Sequence, residues 1–170
     1  MTVQIDGVLA LLPHRGPMLL VDRVVELVPG RHVVAHKAVS YGEGWYRRVP
    51  PDQPVQAYAY PHSLLMESLN QACAALVMAT WAGPGAGVLD AGVPMLGSYT
   101  DLAVGGPVYP GDLVEHRVQI LRTEPEAMAL QGVSTVRGEP VLTVARGLVV
   151  RRPADLLRPT PVPVPPNHRP

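Results

Sequence analysis

One carboxylate stands inside an almost wholly apolar helical stretch. Pro61 to Ala82 reads PHSLLMESLNQACAALVMATWA, and Glu67 is its only acid, followed one turn later by Gln71. Residues four apart share a helix face, so the carboxyl and the amide lie side by side. A carboxylate there is costly to bury unless it is paired or used, and apolar surroundings favour its protonated form, which would make Glu67 a proton donor. The bland alternative is a carboxylate solvated at a seam between subunits. His62 opens the same stretch. A helix N-terminus disfavours the imidazolium, so its ring would stay neutral and able to accept a proton. Five positions on a helix amount to a rotation of roughly 140°, so His62 and Glu67 of one chain point apart and would pair only across a subunit boundary. Otherwise His62 simply caps or lines the loop before the helix. Cys73, the only cysteine, cannot form an internal disulfide and reads as a small core residue.

These residues need a scaffold that wraps the helix. Leu65, Leu69, Ala72, Leu76 and Ala79 recur at helical spacing, while Leu64, Met66, Ala75, Val77 and Met78 occupy the other faces. No broad solvated side remains. Around the helix the sequence supplies strand-like runs: Met18 to Val28 and His32 to Tyr41 before it, joined by Pro29-Gly30, then Val93 to Val104, Leu113 to Thr123, Ala127 to Val136 and Val141 to Arg151 after it. Ile5 to Leu12 reads as a short helix ended by Pro13, and Gly42 to Tyr60 as a long loop bearing Trp45, Tyr46, Tyr58 and Tyr60. The expected architecture is α+β, a curled antiparallel sheet around one long central helix. One small sheet seldom covers such a helix alone, so a dimer with paired sheets is expected.

Composition narrows the function. The 170 residues suffice for one domain with a sizeable core, placed at residues 1–152, and Pro153 onward forms a proline-rich tail expected to be extended or disordered. With 14 basic and 14 acidic residues the formal charge is zero. Nucleic-acid binding and membrane-surface binding, which need a basic excess, are not expected. The N-terminal residues lack the form of a signal peptide, and no apolar run approaches the ~20 residues of a membrane span, so a cytoplasmic protein is expected. No metal-ligand spacing and no phosphate-binding glycine loop appears, and no cofactor is expected.

The segment Leu12-Pro13-His14-Arg15-Gly16-Pro17-Met18-Leu19-Leu20-Val21-Asp22-Arg23-Val24 resembles the opening signature of the hot-dog-fold β-hydroxyacyl-acyl-carrier-protein dehydratases of fatty-acid synthesis. The likeness continues through Pro29-Gly30, Glu67 with Asn70-Gln71-Ala72, and Pro107-Val108-Tyr109-Pro110-Gly111-Asp112-Leu113. It is nearer to the short, divergent members of aryl-polyene and polyketide pathways. What the resemblance implies is a hot-dog fold, a dimer, and dehydration of a 3-hydroxyacyl thioester on an acyl carrier protein. In that family a loop histidine removes the α-proton, a helix glutamate protonates the leaving hydroxyl, and a backbone N–H at the helix start polarises the thioester oxygen. Glu67 matches the glutamate. The histidine loop aligns with Arg47-Arg48-Val49-Pro50, and an arginine is no base. The base is therefore expected from a second hot-dog subunit bearing the histidine, or from His62 across a homodimer. Gln71, Tyr60, Met66, Asn70 and Gly97 are the expected substrate contacts. His14 belongs to the signature as a structural residue. The family's basic carrier-binding segment matches Tyr99 to Val104, which holds no basic residue, so Arg15, Arg23, Arg47 and Arg48 are the candidate replacement patch. A hot-dog thioesterase and a non-catalytic acyl-binding subunit are the competing readings.

Overall fold

The computed structural model describes residues 2–82 and 92–153. The glycine-rich stop after the long helix and all of the expected tail beyond Pro153 lie outside the described residues. Helix α1 (Ile5–Leu11) leads through a 3-10 turn at Gly16–Met18 to strands β1 (Arg23–Val28) and β2 (His32–Ala38). Helix α2 (His62–Ala82) follows, then β3 (Val93–Val104), β4 (Leu113–Glu124), β5 (Ala127–Val136) and β6 (Glu139–Arg152). The strands form one six-stranded antiparallel sheet in the order β1-β2-β4-β5-β6-β3. The sheet curls around α2, which packs against α1 and β1 to β5. Leu65, Leu69, Ala72, Ala75, Leu76 and Val77 of the helix join Val33, Val118, Leu130 and Leu142 of the sheet in one core. A Cβ at Gly132 would stand 3.2 Å from a Leu69 methyl. The missing side chain there lets helix and sheet approach closely.

The first strand is shorter than the sequence suggests. Met18 to Asp22 is apolar and β-branched enough to read as strand, but Gly16 adopts φ +57 and Pro17 follows it, which starts a 3-10 turn instead. The amides of Leu20 and Val21 then face the Gln71 side chain instead of a neighbouring strand. The segment thus bridges helix and sheet before β1 begins. At the other end β2 stops at Ala38, because the Ser40 amide turns to the Glu43 carboxylate.

The long loop before α2 is organised around that carboxylate. Lys37 Nζ bonds Glu43 Oε1 at 2.9 Å and the Ala38 carbonyl at 2.9 Å, while the Tyr60 hydroxyl donates to Glu43 Oε2 at 3.2 Å. Burial and the adjacent Glu43 charge push the Tyr60 phenol upward, so it stays protonated and donates. Each member has a partner, which is the condition for keeping charge in the interior.

A second polar insertion lies in the sheet. His116 of β4 is fully buried, and its Nδ1 lies 2.8 Å from the Ser134 hydroxyl of β5. Burial, helped by the His36 and Lys37 charges, lowers its pKa to about 3. The folded protein therefore holds it neutral while the unfolded chain takes up a proton below its ordinary value of 6.5. Stability from this residue is complete above pH ~6.5 and is lost as pH falls toward 3. At pH 5 the expected loss is about 2 kcal/mol. Burial works against the Glu115 carboxylate, but hydrogen bonds from His36 and Arg117 outweigh it and hold its pKa below the usual range, so its contribution fades only at lower pH. Urea unfolding at pH 7 and pH 5 checks this: His116→Leu should show a smaller pH loss than the unsubstituted chain, and an equal loss would place the acid sensitivity elsewhere.

Candidate active site

Glu67 lies midway along the first half of α2, on the rim of an apolar cavity of about 180 Å³. The helix contributes Glu67, Leu69, Asn70, Gln71, Cys73 and Ala74 to its lining, β3 adds Pro94, Leu96 and Tyr99, and β5 and β6 form the floor. Tyr99 lies over Gly147, where a Cβ would stand 3.3 Å from the ring. Glycine at that position gives the phenol its place in the wall.

The carboxyl is fixed from two sides. Gln71 Nε2 donates to Glu67 Oε1 at 2.9 Å and to the Met18 carbonyl at 2.7 Å, and Gln71 Oε1 accepts from the Leu20 amide at 2.8 Å. Gln71 is wholly buried. With the Val21 amide, which donates to Gln71 Oε1 at 3.4 Å, its four partners use most of the capacity of a primary amide, so its orientation is set by the backbone of residues 18–21. Across the cavity rim His14 Nε2 approaches Glu67 Oε1 to 3.4 Å. The Glu67 side chain keeps 29% of its surface exposed in the single chain, so it is less enclosed than the sequence suggests. The cavity holds one further ionisable group in its helical wall: burial raises the Cys73 thiol to about 12, which leaves it protonated and a poor nucleophile at neutral pH.

The sequence-derived residues separate into two groups. Glu67, Gln71 and Asn70 meet in the cavity. Tyr60 does not: it is buried at the far side of the loop network, its hydroxyl spent on Glu43. Met66 packs against the hydrophobic core, and Gly97 sits at a register shift of β3 beside Leu148 while its neighbours Leu96 and Tyr99 line the wall. His62 is exposed at the start of α2, away from the Glu67 carboxyl, as the helical rotation requires. Arg15 is not a free surface cation. Its guanidinium bonds the carbonyls of Leu9, Leu12 and His14, closing the C-terminal end of α1. Arg23, Arg47 and Arg48 remain exposed. Among the cavity residues that sequence reasoning did not assign to the site, His14, Tyr99 and Cys73 are the ones with ionisable side chains. His14 had a signal in its motif, but nothing local shows that it reaches Glu67.

Residues 12–145 match the FabA-like domain. The chain belongs to this family. Among its relatives is the 3-hydroxyacyl-[acyl-carrier-protein] dehydratase FabZ of Anaeromyxobacter sp., 34% identical over 139 residues, a match covering 82% of this chain and 84% of the relative. The FabZ of Clostridium acetobutylicum is 30% identical over 139 residues, covering 82% and 92% respectively. Among solved structures, the dehydratase heterocomplex ApeI:P from Xenorhabdus doucetiae superposes with a TM-score of 0.69 at 18% identity, over 88% of this chain and 93% of that one. A hypothetical thioesterase with coenzyme A from Streptococcus pneumoniae gives a TM-score of 0.56 at 10% identity, over 76% and 84%. The structural likenesses establish the hot-dog fold and do not by themselves separate dehydratase from thioesterase. No helix among the described residues is long and apolar enough to cross a membrane.

Proposed function

We propose that the chain is a 3-hydroxyacyl-[acyl-carrier-protein] dehydratase subunit, a lyase acting in the cytoplasm in fatty-acid-like, polyketide or polyene synthesis. The observation that carries this reading is Glu67, fixed by buried Gln71 on the rim of an apolar cavity in a FabA-like chain. Dehydration removes the α-proton to a base, the electron pair forms the Cα=Cβ bond, and the β-oxygen leaves with a proton from Glu67 as water. The acid is essential because hydroxide is a poor leaving group. The base comes from a second hot-dog subunit. His62 serves only if the subunits of a homodimer bring it to the other Glu67. The edge strand β3 supports a second subunit at this place: it pairs with β6 on one side and exposes Met95, Leu96, Leu102 and Val104. Pro94, Leu96 and Tyr99 of the same strand line the cavity, so a subunit docked there would close it. The exposed Arg23, Arg47 and Arg48 are the basic groups offered to an acidic carrier.

The test is the product. The purified chain, alone and mixed with a hot-dog subunit that carries a histidine on the loop before its helix, is incubated with a 3-hydroxyacyl carrier-protein thioester. Enoyl thioester from the mixture is expected, with little from the chain alone. Free acid would make it a thioesterase, and an unchanged substrate in every mixture would reduce it to a binding subunit. Should the chain turn over alone, His62→Ala decides whether the homodimeric base exists.

A further inference from the structure

The Glu67 carboxyl has two oxygens in unequal settings. Oε1 receives the Gln71 amide N–H at 2.9 Å and has His14 Nε2 at 3.4 Å. Among the described residues no hydrogen bond or ion pair is formed by Oε2. His14 is anchored through its backbone, and its side chain is 32% exposed. It follows Pro13, its carbonyl and that of Leu12 are both bonded by the Arg15 guanidinium, and Leu12 is wholly buried beside it. Its Nδ1 is buried without a hydrogen-bond partner among the described residues. Those facts select a tautomer. A buried N–H without an acceptor is rarer and costlier than an acceptor without a donor, so Nδ1 carries the bare lone pair and Nε2 carries the hydrogen. A bare Nε2 would also set its lone pair against that of an oxygen already accepting from Gln71. Nε2–H therefore faces Oε1 as a donor, at a distance that has yet to close into an aligned hydrogen bond. Catalytic hydrogen bonds in unliganded enzymes are often long in this way and tighten in the complex.

We infer that His14 is a positioning residue for proton transfer: with Gln71 it supplies two N–H donors to Oε1, so that the proton delivered to the leaving hydroxyl rides on Oε2. As that proton departs, negative charge grows on the carboxylate, and the two donors on Oε1 stabilise it in the transition state more than in the ground state. The hydroxyl departs as water, the carboxylate left behind is held by Gln71 and His14, and Oε2 regains a proton before the next cycle. His14 in this role is not the base for the α-proton, because its only free lone pair is buried. This inference rests on the dehydratase reading and refines it.

The test uses the assembly that forms enoyl thioester in the experiment above. In His14→Leu, kcat is expected to fall roughly 10- to 100-fold, the worth of a hydrogen bond to an ionising group, with KM within about twofold. In His14→Gln, whose amide N–H reaches about as far as Nε2–H, kcat should recover to within about threefold of the unsubstituted value. Equal kcat in the unsubstituted chain and His14→Leu would overturn the inference while leaving the dehydratase reading standing. So would an equal loss in His14→Leu and His14→Gln, which would make the imidazole itself necessary. Absence of enoyl product from the unsubstituted assembly would overturn the dehydratase reading instead.

Discussion

In Glu67→Gln, turnover of a 3-hydroxyacyl carrier-protein thioester is expected to fall by about 10²- to 10⁴-fold, the usual contribution of a positioned general acid. The substitution is close to isosteric and keeps an oxygen that can accept from Gln71 Nε2, so the bond at 2.9 Å has a successor. What it removes is the transferable proton. The amide cannot supply one to the departing oxygen, and the reaction must then expel hydroxide. Substrate binding should change little, because the cavity is mostly apolar and its walls remain. A fall in kcat with KM and thermal unfolding preserved is therefore the diagnostic pattern. Rates within about threefold of the unsubstituted chain would remove Glu67 from the chemistry and with it the proposed reaction.

Gln71→Leu should instead cost stability, by about 3 kcal/mol. Leucine fills nearly the same volume, so no large cavity opens. The loss comes from the groups left behind. The buried Leu20 amide, which donates to Gln71 Oε1 at 2.8 Å, and the part-buried Met18 carbonyl, which accepts from Gln71 Nε2 at 2.7 Å, would both lose their partner. Each buried unpaired group costs about 1–3 kcal/mol, and a marginally stable domain has only a few such units to spare. Chemical denaturation with an unchanged m-value would measure the difference. A change below about 1 kcal/mol would mean that residues 18–21 find other partners. Activity should fall as well, because Glu67 loses the donor that fixes its first oxygen.

Long elements were legible because their pattern is carried by consecutive residues. β3 and β5 run as the sequence suggests, and α2 begins one residue after Pro61, because apolar and β-branched runs there are bounded by proline, glycine and acidic turns. The stretch from Met18 to Asp22 misled for a clear reason: its amides at Leu20 and Val21 bond the Gln71 side chain, and an apolar run does not distinguish that partner from a strand. The site divides in the same way. Glu67 and Gln71 could be paired from their spacing alone. The approach of His14 to Glu67 depends on where the turn after α1 lands on α2, and no local pattern records it. Tyr60, expected among the substrate contacts, has its hydroxyl on Glu43 and is not part of the cavity lining, a placement that no local pattern records.

Lys37 is the only lysine side chain in the sequence, and in the fold its amine is enclosed and bonded to Glu43 and the Ala38 carbonyl. An amine-directed reagent thus meets no accessible lysine on the native molecule. Acylation at position 37 would proceed only when the segment around Glu43 opens, so its rate is a clock for that opening. The same seclusion makes lysine-based immobilisation or crosslinking of this protein a probe of its unfolding, not of its surface.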